Sequence, residues 1–161
     1  METDSAHKRN WEIGEVVFGV PFLLGVALNF IVPFALPHGT LRQALIPIGI
    51  LLILLGLYLI VLARREFARY NQPTDPGQPT STVIKSGVFA ISRNPLYLGA
   101  VLIFLGISLA INNLWTLVTL LISIMLCHYV LIVPEEKYLA AKFGKAYQDY
   151  TAIVQRWLGH K

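Results

Sequence analysis

Two short stretches carry side chains that could do chemistry. The first is Ser92-Arg93-Asn94-Pro95-Leu96-Tyr97. Asparagine is a favoured helix N-cap and proline a favoured first helical residue, so a helix is predicted to start at Asn94 and Pro95. The free amides and positive dipole end of such a start, with Arg93 beside them, suit a carboxylate or a phosphate. The same residues would also serve as a plain cap with a snorkelling arginine. The second stretch is Pro134-Glu135-Glu136. Two adjacent carboxylates at the end of an apolar helix repel each other and oppose its negative dipole end. A cationic ligand would relieve both effects; a solvated pairing with Lys137 is the plainer alternative. His128 precedes Glu135 by seven residues, two turns along one helix face, inside an apolar run. It could orient a substrate, act as a base, or bond within a helix bundle. Cys127 reads as packing. So do Gly99 and Gly106, which permit close helix approach. Asn29 reads as a polar link between helices.

The elements that must position these residues are strongly apolar. The chain has 161 residues, enough for one domain. It is 55% hydrophobic and 14% charged, against roughly 25% charged in an ordinary soluble domain. A soluble fold of this length keeps too much surface in water to bury that apolar content. Disorder is excluded for the same reason. A single cysteine excludes a disulfide framework and a cysteine-rich metal site, and no metal is expected. There is no G-x-G-x-x-G, P-loop, H-E-x-x-H or G-x-S-x-G. The net charge of +4 reads as membrane topology, with no nucleic acid expected.

Hydrophobic runs of about 20 residues match the bilayer core. Four approach that length: Ile13–Leu36, Ala44–Ala63, Leu96–Ile111 and Leu114–Val133. The expectation is an all-α polytopic membrane protein, one domain over residues 1–161, with four transmembrane helices. Only Asn112 and Asn113 separate the last two, which predicts a helical hairpin. The third run is short, at about 24 Å for a helix. Glu2, Asp4, Glu12 and Glu15, with the length of the first run, argue against a signal peptide. With four spans, 12 of the 13 basic residues and all nine acids fall on one side, and only Arg42 on the other. The positive-inside rule makes that side cytoplasmic, with both termini, the loop 64–94 and the tail 137–161. A bacterial inner (cytoplasmic) membrane is the expected location.

Within the loop, Pro73, Pro76 and Pro79 predict extended chain, as a connector or a lid. Thr82–Ile84 could form a short extended piece. In the tail, Leu139, Phe143, Tyr147 and Tyr150 recur at helical spacing. This predicts a C-terminal interfacial helix, with Tyr150 and Trp157 at headgroup level. The hairpin brings Arg93, Asn94 and Tyr97 to the depth of Glu135 and Glu136. An anion site beside a cation site fits S-adenosylmethionine, which carries a carboxylate, an ammonium and a sulfonium.

The stretch Ser86-Gly87-Val88-Phe89-Ala90-Ile91-Ser92-Arg93-Asn94-Pro95-Leu96-Tyr97-Leu98-Gly99, then Glu135-Glu136, then Lys142-Phe143-Gly144-Lys145-Ala146-Tyr147-Gln148-Asp149-Tyr150, resembles a known family. It is similar to the integral-membrane isoprenylcysteine carboxyl methyltransferases and the related phospholipid methyltransferases, over roughly residues 81–157. The resemblance implies a small multi-helix membrane enzyme that uses S-adenosylmethionine. The cofactor residues it implies are Val83, Ile84, Gly87, Phe89, Arg93, Asn94, Pro95, Tyr97 and Glu135, with Glu136 beside it. His128, Glu135 and Arg93 are the catalytic candidates. Asn94 stands where many members have histidine, and Phe89 where tyrosine is frequent. Leu131 stands where eukaryotic prenylcysteine enzymes place an arginine toward the substrate carboxylate, which argues against prenylcysteine here. The expected acceptor is a lipid or another lipophilic small molecule bearing a carboxylate, amine or hydroxyl; the oligomeric state stays open. Alternatives are a sterol-reductase-like enzyme using NADPH, and a four-span transporter or scaffold. The acids at the cytoplasmic edge, rather than within a span, disfavour a transporter.

Overall fold

The computed structural model describes residues 14–34, 39–73 and 80–161. Their α-helices are α1 Gly14–Ile31, α2 Thr40–Arg69, α3 Pro95–Ala110, α4 Leu114–Leu126, α5 Val133–Phe143 and α6 Lys145–Ile153. A 3-10 turn, Gly87–Ala90, precedes α3, and a π-helical turn, Cys127–Ile132, joins α4 to α5 without a break. Thr82–Ile84, expected to be extended, forms no strand. Most of the proline stretch (74–79) and the segment with Lys8 and Arg9 lie outside the described residues.

Among the described residues, three helices are long and apolar enough to cross a membrane: Gly14–Ile31, Thr40–Arg69 and the continuous Leu114–Phe143. The third apolar run forms α3, of 16 residues, which is shorter. The two 30-residue helices are each about 45 Å long, more than the roughly 30 Å hydrocarbon core. Arg64, Arg65 and Arg69, expected in the loop, therefore ride on the last turns of α2. Leu23, Phe30, Leu51, Leu54, Leu121 and Met125 are all exposed. Such an apolar surface suits lipid rather than water.

Glycines set the helix packing. A Cβ on Gly49 would sit 2.5 Å from the Gly106 carbonyl oxygen, and one on Gly56 2.5 Å from that of Gly99. Only glycine lets the backbones of α2 and α3 approach this closely. Gly25 of α1 lies equally tightly against Thr116 and Thr119 of α4. The α3–α4 hairpin turns at Asn112, where φ is +56°, and Asn113 caps α4 by accepting from the Thr116 amide. Its arms nevertheless pack chiefly on other helices, α3 on α2 and α4 on α1. Val17, Phe18, Leu120, Cys127, Leu131 and Ile132 form the central core, with Phe18 stacked on Phe104 at 5.6 Å. Among the described residues, Asn29 forms no side-chain link between helices. Its Oδ1 accepts the Phe34 amide (3.2 Å) just beyond α1.

Two expectations about helix ends are corrected. The fourth apolar helix does not stop before Pro134. A proline lacks an N–H and its ring crowds the carbonyl four residues back. The π-turn absorbs the mismatch, since the Val133 amide donates to the His128 carbonyl five residues earlier. Glu135 and Glu136 thus lie inside a continuous helix, not at a negative dipole end. The tail is also not one helix over 137–161. It breaks at Gly144 (φ +52°), resumes as α6 and ends at Ile153. Residues 154–161 then fold back on themselves, with the Gln155 amide donating to the Gly159 carbonyl (2.8 Å) and the Lys161 amide to that of Ile153 (2.9 Å).

Candidate active site

A pocket opens at the end of the bundle where α2 finishes and α3 begins. Its rim is built from the chain between them. Ser86 Oγ donates to Glu66 Oε2 (2.6 Å) and lies 3.0 Å from the Tyr70 hydroxyl. Gly87 has φ +58°, and a Cβ there would lie 2.6 Å from Glu66 Oε1. Gly87 therefore shapes the turn. The turn buries Phe89 edge-on against Phe67, with ring centroids 5.4 Å apart. The Tyr150 hydroxyl donates to the Phe89 carbonyl (2.7 Å) and ties α6 to the turn. Burial pushes the Tyr147 phenol up to about 12 and raises that of Tyr150 as well, so both remain protonated donors.

The pocket is partly open, and its about 530 Å³ of empty space includes the solvent at its mouth. Phe67, Val83, Ile84, Phe89 and Leu139 supply apolar wall, and Thr80 and Thr82 flank it. Arg93, Asn94, Glu135, Glu136, Tyr147 and Tyr150 supply polar wall.

The charged groups divide into two sets. Glu136 is held between two arginines. Arg156 donates from Nε to Oε1 (2.9 Å) and from Nη2 to Oε2 (2.6 Å). Arg93 Nη1 lies 3.0 Å from Oε1. The Arg156 guanidinium is held above its usual basicity, chiefly by its hydrogen bonds to Glu136. The Arg93 side chain is only 9% exposed, and its buried Nε has no hydrogen-bond partner among the described residues. Glu135 forms no ion pair among the described residues; it accepts from the Tyr97 hydroxyl at 3.4 Å.

Of the residues singled out in the sequence, Val83, Ile84, Phe89, Arg93, Asn94, Glu135 and Glu136 line the pocket together. Gly87, Pro95 and Tyr97 do not: Pro95 is buried at the start of α3, and Tyr97 stands behind Glu135. Asn94 occupies the N-cap position without capping through its side chain. Its Nδ2 donates instead to the Arg156 carbonyl (3.0 Å), and its backbone amide donates to Ser92 Oγ (3.1 Å). His128 lies outside the lining, with Nε2 3.5 Å from Arg156 Nη1 and its ring edge-on to Tyr129. Sequence reasoning missed Arg156, counted only as a tail cation. Tyr147 and Tyr150, read as part of the tail's apolar helix face, are buried against Val83, Leu139 and Phe143.

Fold and pocket together define a class: a helical membrane protein with a polar, partly enclosed site at one end of its bundle. The family model for phospholipid methyltransferases matches residues 45–146, more than half of the chain. The chain belongs to the phospholipid methyltransferase family. Membership implies a membrane methyltransferase acting on lipid-like substrates. No curated protein and no solved structure matches the chain.

Proposed function

We propose that this protein uses S-adenosylmethionine to methylate a lipid-like acceptor at the cytoplasmic membrane interface. One observation carries the reading: Glu135, which has no cation partner among the described residues, shares a pocket with Arg93, a buried guanidinium whose Nε has no partner among them. A ligand that is both anionic and cationic would satisfy both. Glu135 would hold its positive end. Arg93 and Asn94 would hold its carboxylate. Ile84, Phe89 and Leu139 would pack the heterocycle. When bound, the sulfonium supplies an activated methyl group for in-line displacement by an oxygen or nitrogen of the acceptor. The chain itself contributes orientation and exclusion of water, which can supply much of the rate. A carboxylate acceptor needs no base. For an amine or hydroxyl, Glu135 is the pocket group placed to take the proton, with His128 as the alternative.

The acceptor would reach the site from the bilayer between helices, and the cofactor from the cytoplasm past Thr80 and Thr82. In this reading α3 is a fourth, tilted span, α6 lies at the interface, and both termini are cytoplasmic. Calorimetry on the detergent-purified protein tests the cofactor: S-adenosylmethionine should bind. Heat from NADPH but none from S-adenosylmethionine would overturn the reading in favour of a reductase. Incubation with methyl-labelled S-adenosylmethionine and a total lipid extract would then identify the acceptor by its label.

A further inference from the structure

Arg156 does not line the pocket, and its guanidinium reaches it through Glu136. It nonetheless occupies both oxygens of Glu136, at 2.9 and 2.6 Å, and leaves Arg93 a single contact with that carboxylate, through Nη1, beside its hydrogen bond with Tyr147. Guanidinium groups favour two-point pairing with carboxylates. Arg93 is denied it, and its buried Nε stays without a partner among the described residues. Two guanidinium charges against the one carboxylate they share also leave one positive charge in excess. We propose that Arg156 is a positioning residue: by holding Glu136 it keeps Arg93 available to an anionic ligand group, and so sets the site's preference for a carboxylate-bearing ligand. This rests on the S-adenosylmethionine reading above.

The tail is built to deliver Arg156 to that position. Arg93 donates its amide to the Gln155 carbonyl (3.2 Å), Gly159 donates to Ile91 (2.8 Å), and Asn94 Nδ2 donates to Arg156 itself (3.0 Å). Trp157 packs on the central core. The folded-back residues 154–161 are thereby docked on the segment that carries Arg93. Arg156 also lies beyond the residues matched by the family model, 45–146. Without Arg156, Glu136 is free to close on Arg93 through both oxygens, consuming Nε and cancelling the excess charge.

The test compares two ligands on the full-length protein in detergent by calorimetry: S-adenosylmethionine and its decarboxylated analogue. The wild type should prefer S-adenosylmethionine by about tenfold or more, the scale of one hydrogen bond to a charged group. Arg156→Ala should abolish that preference while leaving affinity for the analogue unchanged. Arg156→Ala combined with Glu136→Gln should restore it, since Arg93 then keeps its charge and its free donor. A lost structural support would not be repaired by that second change. Wild-type preference retained in Arg156→Ala, or a double variant no better than the single, overturns the role of Arg156. Where Arg156→Ala does not fold, Arg156→Lys decides. It keeps the charge but gives up the two-point grip, so reduced preference supports the role and full preference overturns it. A wild type that binds neither compound overturns the cofactor reading and this inference with it.

Discussion

Glu135 and Glu136 are adjacent in the chain and opposite in surroundings. A helix turns successive side chains about 100° apart. Glu136 is thereby delivered to Arg93 and Arg156, and Glu135 to the Tyr97 hydroxyl and the pocket. Glu135→Gln keeps the shape and removes only the charge. Affinity for S-adenosylmethionine should fall about tenfold or more, as for loss of a charge-assisted contact, while the melting temperature holds; unchanged affinity in a titration would remove Glu135 from the site. His128→Ala should leave cofactor affinity unchanged and lower turnover. A variant with wild-type turnover would return His128 to a packing role beside Arg156. The candidate carboxylate was legible in the sequence because an acid pair beside an apolar run has no structural use. Arg156 was not legible, because nothing in a basic tail says which cation folds back onto Glu136.

At the scale of elements, helix identity follows from local chemistry and helix partnership does not. Gly99 and Gly106 announce a close approach, but their partners Gly56 and Gly49 emerge only from the packing of α2 on α3. Gly56→Ala places a methyl 2.5 Å from the Gly99 carbonyl oxygen and 2.8 Å from Ile103 Cγ1. It should cost about 1–3 kcal/mol as an overpacked contact and lower the thermal midpoint in detergent. Gly19→Ala is the contrast, because a Cβ there meets nothing within 4 Å. Its midpoint should stay level or rise, since alanine favours helix over glycine; an equal loss at both positions would contradict the packing. Pro134 misleads in a similar way. Read locally it ends a helix, yet the π-turn Cys127–Ile132 carries the helix through and keeps the acid pair aligned with the pocket.

For the whole molecule, the distribution of charge makes a topological prediction. The native Cys127 is fully buried, so a cysteine introduced elsewhere reports alone. Arg42→Cys should react with a membrane-impermeant thiol reagent added outside intact cells. Lys161→Cys should react only after the membrane is opened. The reverse pattern would invert the molecule and put the pocket on the other face.

Composition and run length by themselves determined that the chain is helical and apolar enough for a membrane. They also led to the expectation that, with four spans, all charged residues but Arg42 gather on one side, because bilayer thickness and charge transfer costs act on local sequence. The motif residues Arg93, Asn94 and Glu135 were marked by type and spacing in the same way. Only the tertiary structure decided which of the two pocket acids is neutralised by arginines, Glu136, and which is not paired among the described residues, Glu135. It alone showed that Tyr147 and Tyr150 close the wall from α6, and that the last residues return to brace Arg93. Those outcomes depend on contacts between residues far apart in the chain, and on a π-turn that resets the helix phase. Neither leaves a local signature for periodicity to reveal.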